Sequence, residues 1–221
     1  MPYQTIVLAT RNAGKVAEIR DLLAGFPVII KNLNDFGPIP EVVEDGATFD
    51  ENAYKKASHT ARILGLPALA DDSGLLVEAL GGRPGVLSAR YAGAGASDRQ
   101  RCDKLLEEMH GRANRNAAFE CVISIAVPTG PALTYEAQCQ GLIAESPSGE
   151  NGFGYDPVFF YPSLGKTFAQ ISREEKGRIS HRGRALQELR DEFDKVLKWI
   201  ENQMPIPERF SCAGESPAGQ N

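Results

Sequence analysis

Two adjacent carboxylates, Asp71 and Asp72, stand in the run Ala70-Asp71-Asp72-Ser73-Gly74-Leu75. An apolar approach, Leu66-Pro67-Ala68-Leu69, precedes them, and a second apolar run, Leu75-Leu76-Val77, follows. Carboxylates at a sheet edge are hard-oxygen ligands of the kind Mg²⁺ takes. The same residues could instead close an Asx-type turn through their own side chains. Asp and Gly are poor strand residues, so the spacing predicts a strand that enters a sharp turn at the acids and leaves as a second strand. Neighbouring residues in an extended segment point to opposite faces. The two acids are therefore not redundant: one faces a cleft while the other turns to backbone or solvent.

Further groups carry complementary chemistry. Thr10-Arg11-Asn12-Ala13-Gly14-Lys15 sits between the apolar run Thr5 to Ala9 and a helical pattern of Val16, Ile19, Leu22 and Leu23, with Gly25 as its stop. A helix start carrying Lys15 can hold an anion through backbone N–H groups and dipole. As an ordinary connection it needs only Asn12 as N-cap. The Walker spacing is absent. Glu44-Asp45-Gly46 places acids ahead of a helix whose opening, Thr48-Phe49-Asp50-Glu51, reads as a capping box. That duty occupies Glu51 and leaves Glu44 as the better metal-ligand candidate. Ala53, Ala57 and Ala61 form a close-packing stripe, and one of the flanking Lys55 and Lys56 can lean into a cleft. The segment Gly149 to Asp156 reads GENGFGYD. Its glycines permit close backbone approach to a ligand. Phe153 and Tyr155 could offer a flat surface to a base or fill the core behind a hairpin turn.

These groups must be positioned by an alternation of strands and helices. Val28-Ile29-Ile30 predicts a strand, and Ser97-Asp98-Arg99-Gln100 predicts a capping box opening a helix with Cys102, Leu105, Leu106 and Met109 on one face and Gly111 as its stop. Phe119 to Val127 and Leu133 to Cys139 predict a long hairpin around Pro128-Thr129-Gly130-Pro131, so the sheet is mixed. Arg173 to Lys176 reads as a charged turn. Ile179-Ser180-His181-Arg182-Gly183 then opens a last helix, buried through Leu186, Leu189, Phe193, Val196 and Ile200. Cations at a helix start oppose the dipole, so His181 and Arg182 point to an anion or a base nearby.

The chain has 221 residues, 42% of them hydrophobic, enough for one sizeable core or two lobes of one domain. We expect residues 1–204 to form that domain and 205–221, which lack periodicity, to be a disordered tail. A net charge of −5 argues against a nucleic-acid polymer as partner. No apolar run approaches the ~20 residues of a membrane span, and a cytoplasmic location is expected. Cys102, Cys121, Cys139 and Cys212 have no zinc spacing and read as reduced thiols. Cys121 and Cys139 are expected to face each other across the hairpin.

Taken in order, TRNAGK (Thr10–Lys15), EDGATFDENAYKKA (Glu44–Ala57), ADDSGL (Ala70–Leu75), GGRPGVLSARYAG (Gly81–Gly93), NGFGYDPVF (Asn151–Phe159) and KGRISHRGRA (Lys176–Ala185) resemble the Ham1 or inosine triphosphatase family, most closely its bacterial branch. The family acts on non-standard purine nucleoside triphosphates. The resemblance runs from about Thr5 to Gln203. It implies an α/β fold with a mixed, elongated central sheet, flanking helices and two lobes around a deep cleft. It implies hydrolysis between the α- and β-phosphates of inosine or xanthosine triphosphates, ribo or deoxy, to monophosphate and pyrophosphate. It also implies Mg²⁺ and a homodimer. Carried onto this chain, Asp72 matches the catalytic acid and a metal ligand, and Glu44 matches a second ligand. Asp71 would orient the ligands or contact water. Thr10, Arg11, Asn12, Ala13, Gly14 and Lys15 match the phosphate turn, although Arg11 stands at a variable position. Ser73 matches a substrate contact. Phe153, Gly154, Tyr155 and Asp156 match the base loop, and Lys176, His181 and Arg182 line the nucleotide pocket, with Lys56 as a further candidate.

The expected chemistry follows. Asp72 orients or deprotonates the water that attacks the α-phosphorus, while Lys15 and the turn backbone offset phosphate charge. A pocket that donates to O6 rejects adenine by leaving its own donor unpaired. Loop N–H groups or His181 and Arg182 could be that donor. The alternative within the same fold is a Maf-like pyrophosphatase acting on modified pyrimidine, thymidine or uridine triphosphates. A different class is a sensor that binds nucleotide without hydrolysing it.

Overall fold

A computed structural model gives the structure of residues 4–204; the expected tail, 205–221, lies outside the described residues. The strands are β1 (Gln4–Leu8), β2 (Val28–Asn32), β3 (Ala68–Val77), β4 (Asn116–Ala126), β5 (Ala132–Ile143), β6 (Phe159–Tyr161) and β7 (Lys166–Thr167). They form one seven-stranded mixed sheet in the order β2-β1-β3-β4-β5-β6-β7. β1 runs parallel to β2 and β3, and the remaining pairs are antiparallel. The helices are α1 (Ala13–Leu22), α2 (Phe49–Leu64), α3 (Asp98–Glu108), α4 (Arg173–Ile179), α5 (His181–Asp191) and α6 (Phe193–Gln203).

Apolar layers cover the sheet on both sides. Ile6, Leu8, Ile123 and Ile125 pack with Leu186 and Phe193 from α5 and α6. On the other side the stripe Ala57 and Ala61 lets α2 lie close against Val7, Ala68 and Ala70. A second cluster around Leu105, Phe119, Phe159 and Phe168 fills the far half of the sheet.

Four local expectations are corrected. There is no turn at the acids. β3 runs unbroken through Asp71 and Asp72, which pair with Ile123 and Val122 of β4. Ten consecutive ladder partners on β4 outweigh the poor strand propensity of Asp and Gly. Gly74 is required there: an added Cβ would lie 2.6 Å from Gly85 O, the Phe49 ring and Ser88 Oγ. The charged stretch Arg173–Lys176 is helix, because Ser172 and Glu175 form a capping box. The last helix is two, broken at Glu192; the apolar stripe keeps its spacing across the break, so periodicity alone does not register it. Cys121 opposes Ala137 and Cys139 opposes Phe119, so the two thiols sit two residues out of register. Both are free and buried, as is Cys102.

Candidate active site

β1 pairs with β3 only through Val7 and Leu8. Beyond Leu69, the side of β3 away from β4 is therefore open, and this is where Asp71, Asp72 and Ser73 lie. β1 is also the strand from which the chain departs to either side, to β2 and to β3. Ligands of open α/β sheets bind outside the carboxyl end of such a strand. A cleft of about 1080 Å³ opens there, lined by the β1–α1 turn, β3, the loop after β5 and the starts of α4 and α5.

The β1–α1 turn is built by Asn12, whose side chain accepts the N–H groups of Gly14 at 2.9 Å and Lys15 at 3.1 Å. Two of the N–H groups expected to receive phosphate are thus already capped, and Lys15 and Arg11 are the turn's charged groups along the cleft. Arg11 is exposed and donates to Leu33 O and Asn34 Oδ1, away from the acids.

Asp71 and Asp72 diverge as extended neighbours must, but neither turns to backbone or solvent as expected: both line the cleft, and each holds cations of its own. Asp71 is buried and takes Lys15 Nζ at 2.8 Å on each oxygen and Arg182 Nη2 at 3.0 Å. Burial alone would raise its pKa, but Lys15 and Arg182 hold it far below the usual carboxylate range. Asp72 takes Lys56 Nζ at 2.7 Å, and the same ammonium lies 3.1 Å from Glu44. Burial, with Glu44 and Asp71, raises the Asp72 pKa against the pull of Lys56. Lys56 is itself raised: burial opposes its charge, but Asp72 and Glu44 outweigh that. Lys55 points elsewhere and pairs with Asp45 at the surface. The cap of α2 is as expected in Thr48, which accepts Glu51 N–H, but Glu51 returns to Ala47 N–H rather than to Thr48.

At the other end stands the glycine loop. The loop lines the cleft from Asn151 to Asp156, and of its two aromatic side chains Phe153 is the exposed one, at 60%, with Lys176 Nζ 4.5 Å and Arg182 Cζ 5.7 Å from its ring centroid. Tyr155 does not join it: it is buried, and its hydroxyl donates to Ser88 O at 2.9 Å. Asp156 is buried and accepts Phe153 N–H and Lys176 Nζ. Gly154 N–H is taken by Asp98. The N–H groups of Phe153 and Gly154 are therefore not free donors for a base. His181 is buried and stacks on Phe119 at 4.7 Å between centroids. Burial, then Arg182 and Lys176, pushes its pKa well down, so it is neutral. The expected pair of free cations at the start of α5 is thus one neutral imidazole and one guanidinium tied to Asp71. His181 Nδ1, Arg182 Nε and Ser73 Oγ are buried without a hydrogen-bond partner among the described residues.

The structure thus gathers the expected site residues, Ala13 excepted, around one cleft: Glu44, Lys56 and Asp71 to Ser73 with the Thr10–Lys15 turn, Phe153 to Asp156, Lys176, His181 and Arg182. Asp98 and Arg101 line it too, and sequence reasoning passed over them because the capping pattern already accounted for that helix start. No three His, Cys, Asp or Glu side chains cluster as a metal group among the described residues. Asp72 and Glu44 gripping one ammonium nonetheless fit Mg²⁺, which takes one or two protein carboxylates and completes its shell with water and substrate phosphates. Among the described residues no helix is long and apolar enough to cross a membrane.

A model of the Ham1 family matches residues 6–192. The dITP/XTP pyrophosphatase of Syntrophobacter fumaroxidans is 64% identical, over 99% of this chain and 97% of its own. That of Thermus thermophilus is 52% identical, over 85% and 91%. The solved structure of a HAM1 protein from Coxiella burnetii superposes with a TM-score of 0.84 at 43% identity, covering 87% of this chain and 99% of that one. A mixed seven-stranded sheet with flanking helices, an open β3 edge carrying paired acids, and these matches lead to one statement: the chain belongs to the Ham1 family.

Proposed function

We propose that this protein hydrolyses non-standard purine nucleoside triphosphates, dITP, ITP and XTP, to the monophosphate and pyrophosphate, and so clears deaminated purines from the nucleotide pool. The observation that carries this reading is the polarity of the cleft. One end holds two carboxylates on a shared lysine, and the other holds an exposed Phe153 flanked by Lys176 and Arg182. The relatives named as dITP/XTP pyrophosphatases support it.

Phosphates lie along Lys15 and the Thr10–Lys15 turn, with Ser73 beneath them. The base stacks on Phe153. Lys176 or Arg182 donates to its O6, and adenine is refused because its amino group would face that donor. A divalent ion, for which we favour Mg²⁺, would be held by Asp72 and Glu44 and would supply phosphate charge neutralisation and more acidic water. Asp72 orients the attacking water and takes its proton as the new bond to the α-phosphorus forms. The bond from that phosphorus to the bridging oxygen breaks, and pyrophosphate leaves toward Lys15. Lys56 keeps Asp72 and Glu44 from repelling each other before substrate arrives. We read residues 1–204 as one domain whose two lobes flank the cleft, working in the cytoplasm as a homodimer; the family resemblance supports the two lobes and the dimer.

The test is pyrophosphate release with Mg²⁺ across ITP, dITP, XTP, GTP, ATP and dTTP. The first three should turn over faster by roughly two orders of magnitude, ~3 kcal/mol of discrimination. Release of single phosphates, or a preference for dTTP, would retire the reading.

A further inference from the structure

Asp98 opens α3, one residue after its N-cap Ser97. Its carboxylate does something a cap does not. Oδ2 accepts Gly154 N–H at 2.6 Å, across to the loop that carries Phe153. The other oxygen takes Arg101 Nη2. Arg101 is fixed in turn, its Nη1 donating to Ala89 O at 3.0 Å and Ala96 O at 2.6 Å. Cys102 Sγ, on the same helix, donates to Gly154 O at 3.4 Å. Both backbone polar atoms of Gly154 are thereby held by α3.

Gly154 has φ of 63°, a left-handed conformation that glycine adopts freely and therefore does not hold by itself. What fixes this peptide is its partners. A charge-assisted bond to a carboxylate is about twice as strong as one between neutral groups. The preceding N–H, that of Phe153, is taken by Asp156 in the same way at 2.9 Å. Two carboxylates from distant parts of the chain thus claim two successive N–H groups, and the Phe153 ring is the side chain left toward the cleft.

We infer that Asp98 is a positioning residue for base selection: by holding the Gly154 peptide it sets the place of the Phe153 ring and keeps the Gly154 N–H from serving as an extra donor beside the base. This rests on the reading that Phe153 to Asp156 meets the base. An extra free donor would blur the distinction between bases that differ in donor and acceptor pattern, and a displaced ring would weaken all of them.

The experiment uses the full chain with Asp98→Ala, Asp98→Asn and Phe153→Ala. For each, kcat and KM are measured on ITP, GTP and ATP, together with inhibition by inorganic triphosphate, a probe without a base. Asp98→Ala should raise KM for ITP about tenfold, change kcat less, narrow the preference for ITP over ATP, and leave triphosphate inhibition as it was. Asp98→Asn should move in the same direction, because one amide oxygen cannot serve both Gly154 and Arg101. Being isosteric, it carries the test if the alanine variant does not fold. An asparagine variant with unaltered KM and selectivity would overturn the inference, as would a parallel loss of triphosphate inhibition, which marks a purely structural role. If Phe153→Ala shifts selectivity while the Asp98 variants do not, the inference falls alone. If none of the three shifts it, the reading of the loop falls and the inference with it.

Discussion

Lys15 Nζ lies 2.8 Å from both carboxylate oxygens of Asp71, so the β1–α1 turn is tied directly to the central strand. The tie continues to Arg182 of α5. Removing one partner of a buried ion pair costs far more than the pair itself contributes, because it strands a charge. Asp71→Asn should therefore destabilise the protein by roughly 3 kcal/mol, read as a lowered urea midpoint. A variant within a few tenths of a kcal/mol of the parent would mean that Lys15 and Arg182 find water instead.

Asp72 stands on the opposite face of the strand, and the proposed mechanism gives it the attacking water and its proton. Asp72→Asn keeps the shape but removes the base, so turnover of ITP should fall by about 10² to 10⁴. Steady-state kcat is the readout, with circular dichroism to verify the fold. Retention of most of the turnover would reassign the proton acceptor.

Phe153→Ala removes the stacking surface at a position with little core packing. Stability should hold, while KM for ITP rises by an amount equivalent to ~1–3 kcal/mol. Thermal unfolding and KM, measured on the same preparation, separate this outcome from a packing defect.

His181 is neutral in the folded state because burial, Arg182 and Lys176 all disfavour its proton. The unfolded chain takes that proton below ~6.5, so folding releases it there. Stability from this group is complete above ~6.5 and is lost as pH falls, until the folded His181 is itself protonated. The slope reaches at most ~1.4 kcal/mol per pH unit. His181→Gln should flatten the stability–pH curve below about pH 6.5; an unchanged curve would place the titration elsewhere.

Much of this architecture was legible in the sequence because the signals were local. Asn12, Thr48 and Ser97 cap the helices their patterns announce, and the hairpin of β4 and β5 follows its alternation. What escaped was set by distant partners. The strand through Asp71 and Asp72 exists because β4 supplies its ladder, and no propensity at those residues foretells that. Tyr155 looked as available as Phe153 until Ser88, far away in the chain, claimed its hydroxyl. Motif resemblance named Lys15, Lys56, His181 and Arg182 as neighbours of the site, but not that Asp71 neutralises one pair and Asp72 and Glu44 share another cation.

The shortness of β1 has a last consequence. Leu69 O faces β1, where it accepts Ala9 N–H, and Leu75 N–H, on the same side, donates to Ser88 Oγ. By the alternation of a ladder, the N–H groups of Asp71 and Ser73 turn to that side too, between those two bonds, where no strand lies beside them. The gap left by a short strand is thus a pair of main-chain donors at the floor of the cleft. On the proposed reading, a substrate phosphate in that gap would take the place of the missing strand.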